Sequence, residues 1–200
     1  MNALLEKPVR LSGEQQLTLS PITWEQYETL RATLDDLAGL RMRYLKGTLE
    51  ICLPSRQHEL IKKTIARLIE LYSIETNTRL YPCGSTTYRK KAKQRGLEPD
   101  ESYCIETDKE FPDLAIEVIV TSGSIALLDV YQGLGITEVW FWKGERFFLY
   151  YLQGNGYEEI SRSVVLPELD IELLTRCVNM SDRYDAVLEF RQAIRAQSGF

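Results

Sequence analysis

Pro112-Asp113-Leu114-Ala115-Ile116-Glu117-Val118-Ile119-Val120 is the stretch whose reading decides the fold. From Leu114 onward it reads as an apolar strand broken by one residue, Glu117. A buried ionised carboxylate is costly unless it is paired or holds a cation, so Glu117 needs a partner. Just upstream, Glu98-Pro99-Asp100-Glu101-Ser102 leads into another strand, and Asp100 is the candidate from that neighbouring strand. Two such carboxylates repel unless a cation sits between them. Acidic oxygens completed by waters and a phosphate suit Mg²⁺, with Mn²⁺ as the alternative. The competing reading is that Glu117 pairs with an Arg or Lys of the core.

Working outward, Gln16 to Ser20 reads as a short strand. Thr23-Trp24-Glu25-Gln26 is a capping box opening a helix to about Leu34. Arg41 to Leu45 and Thr48 to Leu53 flank Lys46-Gly47, a hairpin turn. Ser55 caps a long helix whose Leu60, Ile61, Thr64, Ile65, Leu68, Ile69 and Tyr72 form one apolar stripe. Arg79 to Cys83, Thr86 to Lys90, Asp100 to Ile105 and Leu114 to Val120 are strand-like. Ser124 to Leu134 reads as a short helix with Gly135 as its C-cap. Glu138 to Trp142 and Arg146 to Leu152 form a second hairpin, and a helix from Ser181 to about Gln197 follows. Strands and helices alternate without a strict βαβ repeat, which predicts an α/β fold: a mixed sheet flanked by helices, in a single domain over 1–200.

The chain has 200 residues with 24 Lys and Arg against 29 Asp and Glu, a net charge of −5. That balance excludes a strongly basic nucleic-acid coat but not a local basic patch. Hydrophobic residues make up 44%, which is globular composition. No apolar run is long enough for a signal peptide or a membrane span, so a cytoplasmic protein with no membrane partner is expected. Cys52, Cys83, Cys104 and Cys177 form no CxxC pair and His58 is the sole histidine, so zinc spacing is absent. No GxGxxG, Walker A or GxSxG motif occurs.

Two further clusters carry alternatives. Arg89, Lys90, Lys91, Lys93 and Arg95 crowd into seven residues, either a solvated loop or a contact for the DNA backbone. Trp140, Phe141, Trp142, Phe147, Phe148, Tyr150 and Tyr151 make both faces of their hairpin apolar. That hairpin is buried on both sides or forms half of a homodimer interface.

Pro99-Asp100, followed seventeen residues later by Glu117, resembles the PD-(D/E)xK nuclease signature. Further segments are similar to one branch of it, the Uma family of restriction endonucleases. They include Tyr44-Leu45-Lys46-Gly47-Thr48-Leu49-Glu50-Ile51, Pro54-Ser55-Arg56-Gln57-His58-Glu59, Gly84-Ser85-Thr86-Thr87 and Thr121-Ser122-Gly123. The last is Tyr131-Gln132-Gly133-Leu134-Gly135-Ile136-Thr137-Glu138-Val139-Trp140. The resemblance implies a restriction-endonuclease-like fold and Mg²⁺-dependent hydrolysis of DNA. It makes Asp100 and Glu117 the metal ligands and puts Glu50 and His58 beside them. Three departures stand out. Ile119 occupies the signature Lys position, Leu127 the Lys position of the following helix, and Lys46 a usual Asp position. Losing one preorganised charge of this kind costs on the order of a hundredfold in rate. Lys62, Lys63, Lys90 or Lys91 would have to substitute. The chain is then either an impaired Mg²⁺-dependent endonuclease or a degenerate nuclease fold kept for binding or assembly.

Overall fold

A computed structural model describes residues 13–37, 39–120 and 126–198. Thr121-Ser122-Gly123, the expected helix start at Ser124 and the N-terminal Met1–Pro8 lie outside the described residues. Among the described residues, eleven strands form two sheets. The first is antiparallel throughout. Its order is β1 (Gln15–Leu19), β3 (Thr48–Leu53), β2 (Arg41–Leu45), β6 (Arg95–Leu97), β5 (Tyr88–Lys90). Lys46 and Gly47 both adopt positive φ, 44° and 93°, as a two-residue hairpin turn requires, and the register that follows sets Arg43 opposite Glu50. Thr23 caps α1 (Trp24–Leu34) through the expected reciprocal pair, accepting from the Gln26 N–H while Gln26 accepts from its own. Trp24 and Tyr27 of α1 pack on Met42, Tyr44 and Leu49, with the Tyr27 and Tyr44 rings stacked 4.9 Å apart. Gly96 lets β6 lie against this stack, since a Cβ there would meet the Tyr27 hydroxyl at 2.6 Å.

The second sheet is the expected mixed one. Its order is β11 (Gly156–Ile160), β10 (Arg146–Gln153), β9 (Glu138–Lys143), β8 (Leu114–Ile119), β7 (Glu101–Ile105), β4 (Leu80–Pro82). Only β8 and β9 run parallel, and α3 (Leu127–Leu134) makes the crossover between them. Gly135 ends α3 at φ 79°, the left-handed cap foreseen in the sequence. One sheet face buries Tyr103, Leu114, Ile116, Val118, Trp140, Trp142, Phe147 and Leu149 under α2 (Arg56–Glu75), α4 (Ile171–Val178) and α5 (Arg183–Ser198). The other buries Ala115 and Val139 under Val130, Tyr131 and Leu134 of α3. The aromatic hairpin therefore has one sealed face. On its second face Phe141, Phe148 and Tyr150 are half-buried and line a groove of about 880 Å³. Glu138, within the motif quoted above, is buried and structural: it accepts from Trp140 Nε1 at 2.5 Å and from the Val164 and Val165 amides at 2.8 and 3.1 Å.

Candidate functional site

Side chains of β2 in the first sheet reach β8 and the start of β7 in the second, Arg41 to Asp100 and Arg43 to Glu117, and the charged residues singled out in the sequence converge at this seam. Asp100 immediately precedes β7, and the antiparallel register of β7 on β8 carries it opposite Glu117. Its Oδ2 accepts the Val118 N–H at 2.7 Å, which locks the carboxylate against the strand. Its Oδ1 meets His58 Nε2 at 2.8 Å and Arg41 Nη1 at 3.3 Å. His58 reaches it because Ser55 starts α2, accepting the His58 N–H at 3.1 Å and aiming the first turn at the seam. The other ring nitrogen, Nδ1, lies 3.3 Å from Glu14 Oε1.

Glu117 is wholly buried, and the core-cation reading of it is what the structure displays. Arg43 Nη2 donates to Glu117 Oε2 at 2.9 Å, and Arg43 Nη1 donates to Glu50 Oε1 at 3.1 Å. The hydroxyl of Tyr131, delivered by α3, donates to the remaining Glu117 oxygen at 2.5 Å. Glu50, Asp100, Glu117 and His58 are thus brought together, and Arg41, Arg43 and Tyr131 are the residues that sequence reasoning missed. One signal was available for Arg43, because the Lys46-Gly47 turn fixes its pairing with Glu50.

The electrostatics follow from burial in competition with these partners. Burial pushes Asp100 up, but the His58 hydrogen bond and charge, Arg41 and the Val118 amide together hold it below the ordinary carboxylate range. Burial pushes Glu117 above that range, with Arg43 pulling the other way. Burial also works against the Arg43 cation, yet Glu117 foremost among its neighbours raises its pKa above that of a free guanidinium. Desolvation opposes His58 protonation, and the Asp100 contact overrides it to raise the imidazole pKa. Cys52, beside Arg43 and Glu50, is pushed up to about 12 by burial, which leaves it a neutral thiol and no nucleophile.

Mg²⁺ asks for oxygen lone pairs at about 2.0–2.1 Å. Each oxygen of Asp100 and of Glu117 already accepts from a donor of this chain, and a guanidinium lies between Glu117 and Glu50. Among the described residues no three His, Cys, Asp or Glu side chains are grouped as a metal donor set. In this arrangement the residues do not fit the ion.

The four lysines considered as substitutes are engaged elsewhere. Lys62 pairs with Glu59, Lys63 with Glu101 and Lys91 with Glu25, while Lys90 donates to the Leu134 carbonyl and lies over the Phe111 ring. Ile119 and Leu127, the two positions where a Lys was expected, line the same groove as Phe141 and Tyr150, rimmed by Lys143 and Arg146. In the basic run, Arg89 pairs with Glu28 at 2.6 Å and Arg95 donates to the Asp129 carbonyl at 2.6 Å. Most of that run therefore fastens α1 and α3 to the first sheet.

A mixed sheet covered by helices on both faces, with an acidic pair facing across adjacent strands at its centre, defines a restriction-endonuclease-like α/β protein. A family model described as "Uma2: Putative restriction endonuclease" matches residues 24–180, and the chain belongs to that family. A search among curated proteins gave no match. Among the described residues no helix is long and apolar enough to cross a membrane.

Proposed function

We propose that this chain is a closed member of its nuclease family: a single nuclease-like domain whose catalytic centre is neutralised from within, retained for binding or assembly. The Arg43 bridge between Glu50 and Glu117 carries this reading, because it fills with a protein cation the region where the family resemblance calls for a metal. The apolar side chains at Ile119 and Leu127 support it, since neither position where the family resemblance calls for a Lys supplies an ammonium to stabilise charge on an attacked phosphate. DNA is the partner that the family suggests. Lys93 and the outer faces of Arg89 and Lys91 are the cations of the basic run left to meet it, and the half-buried face of the aromatic hairpin is the surface for a homodimer. Four free cysteines suit a cytoplasmic setting.

The second reading is a Mg²⁺-dependent endodeoxyribonuclease in which Asp100 and Glu117 are the metal ligands, with Glu50 and His58 beside them. Its support is the convergence of these four residues and the divalent-metal use typical of such nucleases. It requires Arg43 to leave. Nicking of supercoiled plasmid in Mg²⁺ or Mn²⁺ decides between the two. The closed reading expects wild type to match Asp100→Ala, and nicking that disappears in Asp100→Ala would overturn it.

A further inference from the structure

Cys83 and Cys104 are far apart in the chain and adjacent in the fold. β4 pairs antiparallel with β7, setting Tyr81 opposite Cys104 and Pro82 opposite Tyr103. The ladder runs one step further, because the Cys83 N–H donates to the Ser102 carbonyl at 2.8 Å. Cys83 and Cys104 are therefore diagonal neighbours, and the period of two puts both on one face of the sheet. It is the face that carries Ala115 under α3, opposite the one that buries Tyr103. The two sulfurs lie 3.6 Å apart. Each is also steered by a backbone carbonyl, Cys83 donating to Tyr81 at 3.5 Å and Cys104 to Lys109 at 3.6 Å. They differ in access. Cys104 is fully buried, whereas Cys83 is the one cysteine of the four that is not buried.

We propose that Cys83 and Cys104 are an oxidation site, a thiol pair that hydrogen peroxide closes into an intramolecular disulfide stapling β4 to β7. The step from 3.6 Å to the bonding distance of about 2.05 Å is short. β4 is three residues at the margin of its sheet with β7 as its one neighbour, so it can shift to close that step. The half-buried Cys83 sulfur attacks one peroxide oxygen, the O–O bond breaks, and the thiol proton leaves with the other oxygen as water. Cys83 is then a sulfenic acid. The Cys104 sulfur attacks the Cys83 sulfur, the S–O bond breaks, and the departing hydroxide takes the Cys104 proton as a second water. The thiol pair has lost two electrons and two protons, and the peroxide has been reduced to water. Burial first, then the Cys83 contact, pushes the Cys104 thiol up to about 11, which casts it as the resolving partner and Cys83 as the first to react. A thiol reductant reverses the bond by exchange. The ring it closes spans a separation of 21 residues and holds β5, β6 and Asp100, so oxidation restrains the segment that links the second sheet to the first.

The test treats the reduced full chain with hydrogen peroxide under native conditions, blocks the remaining thiols by alkylation and maps tryptic peptides by mass spectrometry. Wild type should lose two of its four free thiols and yield Leu80–Arg89 linked to Gly96–Lys109, with dithiothreitol restoring both. Cys104→Ser should stop at the sulfenic acid, which dimedone captures on Cys83. Cys83→Ser should lose the Cys104 thiol about tenfold more slowly than wild type does. Oxidised wild type should melt about 6–12 °C above the reduced chain, because a bond across some twenty residues restrains the unfolded state. The proposal is overturned if peroxide leaves the wild-type thiols intact, or if the linkage joins two chains or recruits Cys52 or Cys177. It is equally overturned if Cys83 passes to the sulfinic acid while Cys104 stays free, or if Cys83→Ser loses Cys104 as fast as wild type. A linked chain that melts no higher than the reduced one removes the staple. Where a serine variant fails to fold, the wild-type peptide map decides alone.

Discussion

Replacing Arg43 by Met while keeping chelator present isolates what the bridge does for stability. Met is close to the length of the arginine stem, so the apolar packing of β2 is largely kept and the lost element is the charge. Glu50 and Glu117, each 0% exposed, then remain buried without the guanidinium that faced them at 3.1 and 2.9 Å. Breaking a buried pair by removing one partner costs about 3–5 kcal/mol, most of it the desolvation of the abandoned charge. For a chain of this size that corresponds to a fall of roughly 6–20 °C in melting temperature. Neutralising the acids as well reverses the loss, because an uncharged buried trio of similar volume is often as stable as the ion pair. Arg43→Met with Glu50→Gln and Glu117→Gln should therefore return to within about 1 kcal/mol of wild type. Urea denaturation followed by tryptophan fluorescence measures each variant. A loss under about 1 kcal/mol for Arg43→Met, or losses that simply add when Glu117→Gln is combined with it, would refute the reasoning.

Leu127→Lys supplies an ammonium at the mouth of the groove, yet by itself it should leave metal-dependent plasmid nicking unchanged. Gly96→Ala forces a methyl into the Tyr27 ring, which is pinned between Trp24 and Tyr44, and should cost about 1–3 kcal/mol in urea titration. Glu138→Gln weakens a carboxylate that gathers three donors, and about 1–3 kcal/mol should be lost in urea titration.

Much of the architecture was legible because it is written in local pattern. The Lys46-Gly47 turn, the Thr23 capping box, the α2 stripe and the Gly135 cap each depend on residues a few positions apart, and each appears where the sequence puts it. The first sheet was not legible as a separate layer. β5 and β6 have three residues each, too short to display a period of two, and they join β2 across a separation of about fifty residues. The strand β11 was missed although Gly154-Asn155 makes a two-residue turn before it. At the site, the facing of Asp100 and Glu117 was readable from one apolar strand interrupted by one acid. Their occupants were not, because Arg43 lies 74 residues from Glu117, and no periodicity announces which core cation will reach a buried carboxylate.

Strand β2 has a consequence of its own for how the protein tolerates change. In an antiparallel strand with one solvated face, every second position is free to vary. Here Met42 and Tyr44 belong to the aromatic packing under α1, Arg41 and Arg43 belong to the charges at the seam, and all four are buried. A saturation scan across residues 41–44 should find an unbroken block of intolerant positions, with apolar replacements rejected at one set and charged replacements at the other. Such a block, lying on a short hairpin strand, would mark the seam between the sheets as the part of the molecule least free to drift.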